Sequence, residues 1–333
     1  MSGYFLIPIA LLFSLLLSQN VRAEGKWIPK DHIARSMAYW DKSPCKQQSI
    51  ELRLCDPPAE LIDYLRKDNV NQGFTAVPKP MIIDEAFRKD FKKAVAEMPK
   101  KVRLMMAPVL LGVFPVKDLD GSAYNEKVSD SEGKNPKFVI VIDAEYLNHK
   151  ANEWASLKES NPFKSAKTVV EIEEEKSNDR AHAIQFILLH EFGHAIGAVN
   201  QVHPDWSRPE NSDQDPSHYS FSKIGWRLSQ KGDRLTIVDE TVYPLRPDVQ
   251  FYRGQNTKLP DDKKTEVYTQ LRKTELVSLY AGTNMLDDFA ETFAHYVHEK
   301  ILKKPFRVDG KDFSCVKTKP YSKRVQFVED LLK

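Results

Sequence analysis

Residues 186 to 199 read FILLHEFGHAIGAV, an apolar helical stretch interrupted only by His190, Glu191, Gly193, His194 and Gly197. At 3.6 residues per turn, His190 and His194 leave one helix face about one turn apart, with Glu191 beside them. Ile184 and Phe186 to Leu189 make the preceding turns almost wholly apolar, so the helix belongs in a core. Two imidazoles and a carboxylate are costly there unless they are used. A core helix with hydrogen-bonded histidines is the plain reading. The spacing H-E-x-x-H favours a sharper one, in which the histidines bind zinc and the glutamate activates a water. Gly193 and Gly197 each cost about 1 kcal/mol in a helix relative to alanine, so they mark a close backbone approach or an opening above the metal.

A catalytic zinc takes three protein ligands and keeps a fourth position for water. The metzincin extension of the motif would place histidine at position 200, where this chain has Asn200. His203 lies about 13 Å beyond His194 along a continuing helix, so it is a minor candidate. The stretch LDDFAETFAHYVHEKIL, residues 286 to 302, is a second amphipathic helix with Leu286, Phe289, Ala290, Phe293, Ala294, Val297 and Ile301 in one stripe. Asp287 and Glu291 flank that stripe one turn apart, so one carboxylate can bind the metal while the other orients a histidine from behind. Asp288 is the alternative ligand. Acidic residues also suit the positive end of a helix, which does not account for Glu291 one turn further in.

The pairing of HEFGHAIG with SLYAGTNMLDDFAETFAHYV resembles the gluzincin-type zinc peptidases, especially a lethal-factor-type group of secreted bacterial peptidases. Their second helix has a pattern like Y-A-x-x-N-x-x-E-D-F-A-E, whose first acidic residue is the third zinc ligand. The resemblance spans roughly residues 80 to 302, with specific matches in the two helices. It implies that His190, His194 and Asp287 bind the metal, that Glu191 is the base, and that Tyr280 lies near the scissile carbonyl. Asp287 stands where glutamate is usual and is one methylene shorter. Either the second helix sits closer, or Asp288 substitutes.

Two neutral histidines and one carboxylate leave a zinc site about one net positive charge, which lowers the pKa of a coordinated water toward roughly 7. Glu191 would take the water's proton and later return it to the departing amine. Tyr280 would donate to the oxyanion or simply pack, with His218 and Tyr219 as substitutes.

Residues 5 to 17, FLIPIALLFSLLL, form an apolar run too short to span a bilayer comfortably, and Val21, Arg22 and Ala23 end on the small residue a signal peptidase prefers. We expect a signal over residues 1–23 and an exported chain, periplasmic or extracellular, with an uncleaved N-terminal anchor as the alternative. No later segment is apolar enough to span. Removal of the signal leaves about 310 residues, enough for one large domain or two lobes. In such a compartment Cys45 and Cys55 can form a disulfide, leaving Cys315 as a buried thiol or as an alternative partner to either. The net charge of +2, from 49 basic and 47 acidic residues, gives no general drive toward nucleic acid. The acidic run Glu171 to Glu175 reads as a solvated segment. Basic residues from Lys303 to Arg324 read as solvated surface or, alternatively, as contacts to an anionic envelope.

Residues 84 to 98 are helical through Phe87, Phe91, Val95 and Met98, Val102 to Val116 form an apolar run of strand type, and FVIVI at 138 to 142 is a buried strand. Residues 204 to 264 read as long loops, and Ser322 to Leu332 as a short helix. The expected fold is α+β and zincin-like: a small mixed sheet lobe with the active-site helix, then a mainly helical lobe, the metal between them. The divisions are an irregular segment at 24–80, the peptidase domain at 81–302 and a basic tail at 303–333. The expected function is that of an exported zinc metallopeptidase acting on peptides or proteins. A non-catalytic binding protein on the same fold and a zinc amidase acting on cell-wall peptides are the alternatives.

Overall fold

A computed structural model describes residues 31–130, 135–205, 214–229, 232, 234–252, 255–319 and 322–333. Its helices are α1 (Met37–Trp40), α2 (Ala59–Gln72), α3 (Glu85–Ala96), α4 (Lys100–Met106), α5 (Ala151–Ser160), α6 (Arg180–Val199), α7 (Ser222–Gly225), α8 (Lys264–Leu271), α9 (Met285–His295), α10 (Cys315–Thr318) and α11 (Lys323–Leu331). Its strands are β1 (Lys79–Pro80), β2 (Leu110–Lys117), β3 (Ala123–Val128), β4 (Lys137–Asp143), β5 (Val170–Glu171), β6 (Trp226–Leu228), β7 (Leu235–Ile237), β8 (Arg307–Val308) and β9 (Lys311–Asp312). The fold is mixed helix and sheet, with small sheets. The main sheet has the order β1-β2-β4-β3, with β2 parallel to β4 and the other pairs antiparallel, so β3 is an edge.

Strand periodicity explains the FVIVI run. Phe138, Ile140 and Ile142 face the main core under α3 and α6, whereas Val139 and Val141 face a second core made with Trp40 of α1 and Leu61, Tyr64 and Leu65 of α2. A strand covered on both faces has no solvent side on which to place polar residues. Helix α6 carries Leu188, Leu189 and Phe192 at no exposure, each contributing roughly 2 kcal/mol by burial. It starts where the Asp179 side chain accepts from the His182 amide, and it ends before Gln201, which adopts a left-handed φ of 51°.

Four expectations differ from what is observed. The segment read as irregular contains the fourteen-residue α2, which ends at Gly73 with φ 82° as left-handed helix ends require. The run from Val102 to Val116 begins as helix, since α4 starts after Pro99 and buries Val102 and Met106 four residues apart; only its second half is strand. The acidic run and the basic tail, both read as solvated, pair with each other. Lys304 contacts buried Glu173 at 2.5 Å, and Arg307 contacts Glu171 at 2.9 Å and Glu174 at 2.7 Å. Arg324, also read as surface, is buried against Asp288.

Cys45 and Cys55 are bonded and Cys315 is a buried thiol. The stretch read as a second amphipathic helix is α9, continued from Tyr296 to Ile301 as a π-helical turn. Among the described residues no helix is long and apolar enough to cross a membrane. The expected signal and residues 206–213 of the segment read as long loops lie outside the described residues.

Candidate metal centre

The site is built where α6 crosses α9. A Cβ added to Gly193 would lie 2.7 Å from the Cα of Ala290, so only glycine permits this approach of the two backbones. Gly197 serves the same crossing: a Cβ there would meet the His203 ring at 2.5 Å and Phe289 at 2.7 Å. The glycines therefore mark close approach, and this proximity lets an aspartate reach where a longer side chain would otherwise be needed. Gly193→Ala is expected to lose about 1–2 kcal/mol of stability despite its better helix propensity, because a rigid backbone cannot yield to the new methyl. Thermal unfolding and zinc titration check it: an unchanged or higher Tm with full zinc affinity would contradict the crossing.

His190 and His194 present their Nε2 atoms 3.1 Å apart, and Asp287 Oδ1 lies 3.3 Å from His194 Nε2 and 3.7 Å from His190 Nε2. Three donors about 2.0–2.1 Å from a tetrahedral ion stand about 3.3–3.5 Å apart, so the set fits zinc. Among the described residues, these three form the one group of histidine, cysteine and acidic side chains close enough to share an ion. Asp287 is aimed by its own helix start. Asn284, the N-cap of α9, accepts from the Leu286 and Asp287 amides, while its Nδ2 and the Thr283 hydroxyl donate to Asp287 Oδ2 at 2.6 and 2.7 Å. That leaves Oδ1 toward the histidines. Burial opposes ionisation of Asp287, but the hydrogen bond and charge of His194 outweigh it and hold the carboxyl below its ordinary value. Burial likewise opposes the charged form of His194, and Asp287 overrides it, raising the imidazole.

Asp288, the alternative ligand, is engaged elsewhere. It is fully buried, accepts from Trp226 Nε1 at 2.8 Å and from Arg324 Nε at 3.0 Å, and ties α11 to the back of α9. Glu291 lies behind His190. Its Oε1 lies 2.8 Å from His190 Nδ1, in contact though off the straight donor line, and 2.8 Å from Lys158 Nζ. Its Oε2 accepts from the Ser278 hydroxyl, and His295 Nε2 lies 3.6 Å away. Burial works against this charge, but Lys158, His190 and His295 hold the carboxyl well below the usual range. His295 is in turn raised to about 9: burial opposes its charge, and hydrogen bonds to Glu291 and Glu299 prevail.

Glu191 is buried and borders two cavities that meet at His190 and Tyr280, of about 420 and 330 Å3; His194 borders the smaller one. Burial pushes its carboxyl up, against the pull of His190 and His194. Asn125 of the edge strand β3 donates from Nδ2 to the Glu191 carbonyl at 2.7 Å, fixing the strand to the helix beside the site. Tyr280 borders both cavities, its ring 5.7 Å from His190 and 4.9 Å from Phe251, with Lys158 Nζ 4.8 Å above it. Burial first, and Asp287 second, raise its hydroxyl well above the ordinary value, so it stays protonated.

His203 is not at the site. It is buried behind α6 against Phe289, its Nδ1 2.9 Å from the Pro204 carbonyl, and burial takes it down to about 4. His218 is exposed, and neither it nor Tyr219 borders the described cavities. Sequence reasoning missed Lys158, Ser278, Asn125 and Tyr252, whose ring lines the larger cavity 6.2 Å from that of Tyr280. Only Ser278 lies close in sequence to another site residue. No protein-family model, curated protein or solved structure matches this chain.

Proposed function

We propose that this chain is an exported zinc metallopeptidase with a zincin-like fold, which hydrolyses peptide bonds with Glu191 as general base. The observation that carries the reading is the triangle of His190, His194 and Asp287 donors at tetrahedral spacing, with a buried carboxylate, Glu191, opening on the same cavity. His190, His194 and Asp287 would hold the ion, and when bound it supplies Lewis acidity to the attacking water and the scissile carbonyl.

The chain's own residues supply the rest. Glu191 accepts the proton of the attacking water and returns it to the departing amine. Its burial keeps the carboxylate basic enough to serve. Tyr280, protonated and at the junction of the cavities, donates to the oxygen on which negative charge develops. Glu291 holds His190 so that Nε2 faces inward, and Lys158 compensates the Glu291 charge. Among the described residues the outer edge of β3 has no strand neighbour from Ala123 to Asn125, where it passes Glu191, so an extended peptide can pair with it there as an added strand. The Cys45–Cys55 bond is in keeping with an oxidising compartment.

The test is cleavage of a peptide library by the purified chain, with and without a chelator and with zinc restored. Cleavage that disappears with the metal and returns with it supports the reading. No cleavage under any condition would make the chain a binding protein, and cleavage of cell-wall fragments alone would make it an amidase. Tyr280→Phe is expected to lower kcat roughly 10- to 100-fold with little change in KM, because its hydrogen bond forms in the transition state. A change in KM alone would reassign Tyr280 to packing.

A further inference from the structure

Tyr280 reaches the site from a single short turn, Tyr280–Gly282, rather than from α6 or α9. A hydrogen-bond donor on so short an element is only as well placed as the contacts that hold it. Two of those contacts lead to one group, the fully buried carboxylate of Glu291. The first runs through Ser278, two residues before the tyrosine. Its hydroxyl donates to Glu291 Oε2 at 2.5 Å and accepts from the Ala281 amide at 3.1 Å, so it pins the turn to the carboxylate on both sides of Tyr280. The second runs through Lys158 of α5. Its Nζ lies 2.8 Å from Glu291 Oε1 and 4.8 Å from the centre of the Tyr280 ring, with the rings of Trp154 and Phe186 at 5.9 and 6.0 Å. An ammonium held out of water among aromatic rings is drawn to their faces as well as to its counter-ion. The same Oε1 lies 2.8 Å from His190 Nδ1.

We infer that Ser278 and Lys158 are positioning residues for Tyr280, and that through Glu291 they tie the placement of the tyrosine to that of the metal ligand His190. The plainer account of both is that they satisfy a buried charge. Lys158 and His190 already face Glu291 Oε1, and His295 faces Oε2, so an uncharged hydroxyl adds nothing to the balance of charge. What Ser278 adds is a fixed distance between the carboxylate and the turn. Glu291 thus serves two groups at once, His190 from one oxygen and the Tyr280 turn from the other. A donor displaced by about 1 Å loses much of its hold on a developing charge, which sets the size of the expected effect.

The inference rests on the peptidase reading for what Tyr280 does, and two measurements keep the two apart. In the first, kcat and KM of the zinc-loaded full chain are measured on one cleaved peptide for Ser278→Ala, Tyr280→Phe and the double variant. Ser278→Ala is expected to lower kcat about 10-fold with KM and zinc content unchanged. In the Tyr280→Phe background the same substitution should cost less than about 2-fold, because the group it places is gone. Equal losses in the two backgrounds overturn the inference. In the second, the full chain carries 3-fluorotyrosine, and the fluorine resonance of Tyr280 is identified by its loss in Tyr280→Phe. In the metal-free protein that resonance should shift or broaden in Ser278→Ala and in Lys158→Met, while that of Tyr39 on α1 stays in place. This reads the placement of the ring whether or not bonds are cut, so it supports the inference even if the wild type cleaves nothing and the peptidase reading falls. A Tyr280 resonance unmoved in either variant, or one that moves only together with that of Tyr39, overturns it. If Ser278→Ala does not fold, Lys158→Met decides in both measurements.

Discussion

Glu191→Gln is expected to reduce hydrolysis by about three orders of magnitude while leaving zinc bound at one ion per chain. The substitution removes the proton acceptor and little else. Glutamine matches glutamate in shape, His190 and His194 keep their positions on α6, and the Asn125 hydrogen bond is made to the backbone carbonyl of residue 191, which the substitution retains. Metal analysis on the same preparation separates loss of the base from loss of the ion. Full turnover by the variant would remove Glu191 from the chemistry, and a variant that had lost its zinc would show that the carboxylate serves the ion instead.

The second large effect is a contrast between neighbours. Asp287→Ala should lower zinc affinity by on the order of 1000-fold, a reasonable share of the binding free energy for one of three protein ligands. Thermal stability measured in chelator should fall little, since Asp287 sits at the rim of the cavity among Thr283, Asn284 and the histidines. Asp288→Ala should do the opposite. Zinc stays, but Arg324, with a side chain only 1% exposed, loses its buried counter-charge, which costs about 3–5 kcal/mol. Zinc titration and thermal unfolding on both variants check the pair. Zinc lost from Asp288→Ala but retained by Asp287→Ala would exchange the two assignments.

That contrast also shows what the sequence could and could not reveal. Helical period alone places His190, Glu191 and His194 together, and spacing by four places Glu291 behind them when Asp287 is in front. Choosing between Asp287 and Asp288 is another matter. Adjacent residues on a helix point about 100° apart, so the choice depends on the rotation of α9 about its axis. Gly193 fixes that rotation by admitting Ala290, a contact between residues nearly a hundred positions apart. Lys158 reaches Glu291 across 133 residues, with no local signal at either end. Helix α2 escaped notice because its inward stripe, Leu61, Leu65, Asp68 and Asn69, turns polar at its last two positions. Both are buried, and both border the cavity rather than a core. The charge runs misled for a related reason: Glu173 and Lys304 each look solvated when read alone, and only the fold brings them into contact.

The Arg324 tie has a consequence for how the molecule comes into being. The guanidinium of Arg324 occupies the space a side chain at Gly225 would need, and it reaches Asp288 from α11, 36 residues further along. During synthesis the segment carrying both imidazoles leaves the ribosome well before α11 does. Until α11 docks, the carboxylate of Asp288 lacks its counter-ion and the first turn of α9 lacks its rear support. The crossing of α6 with α9 is therefore completed only after a segment 36 residues beyond Asp288 has folded back onto it.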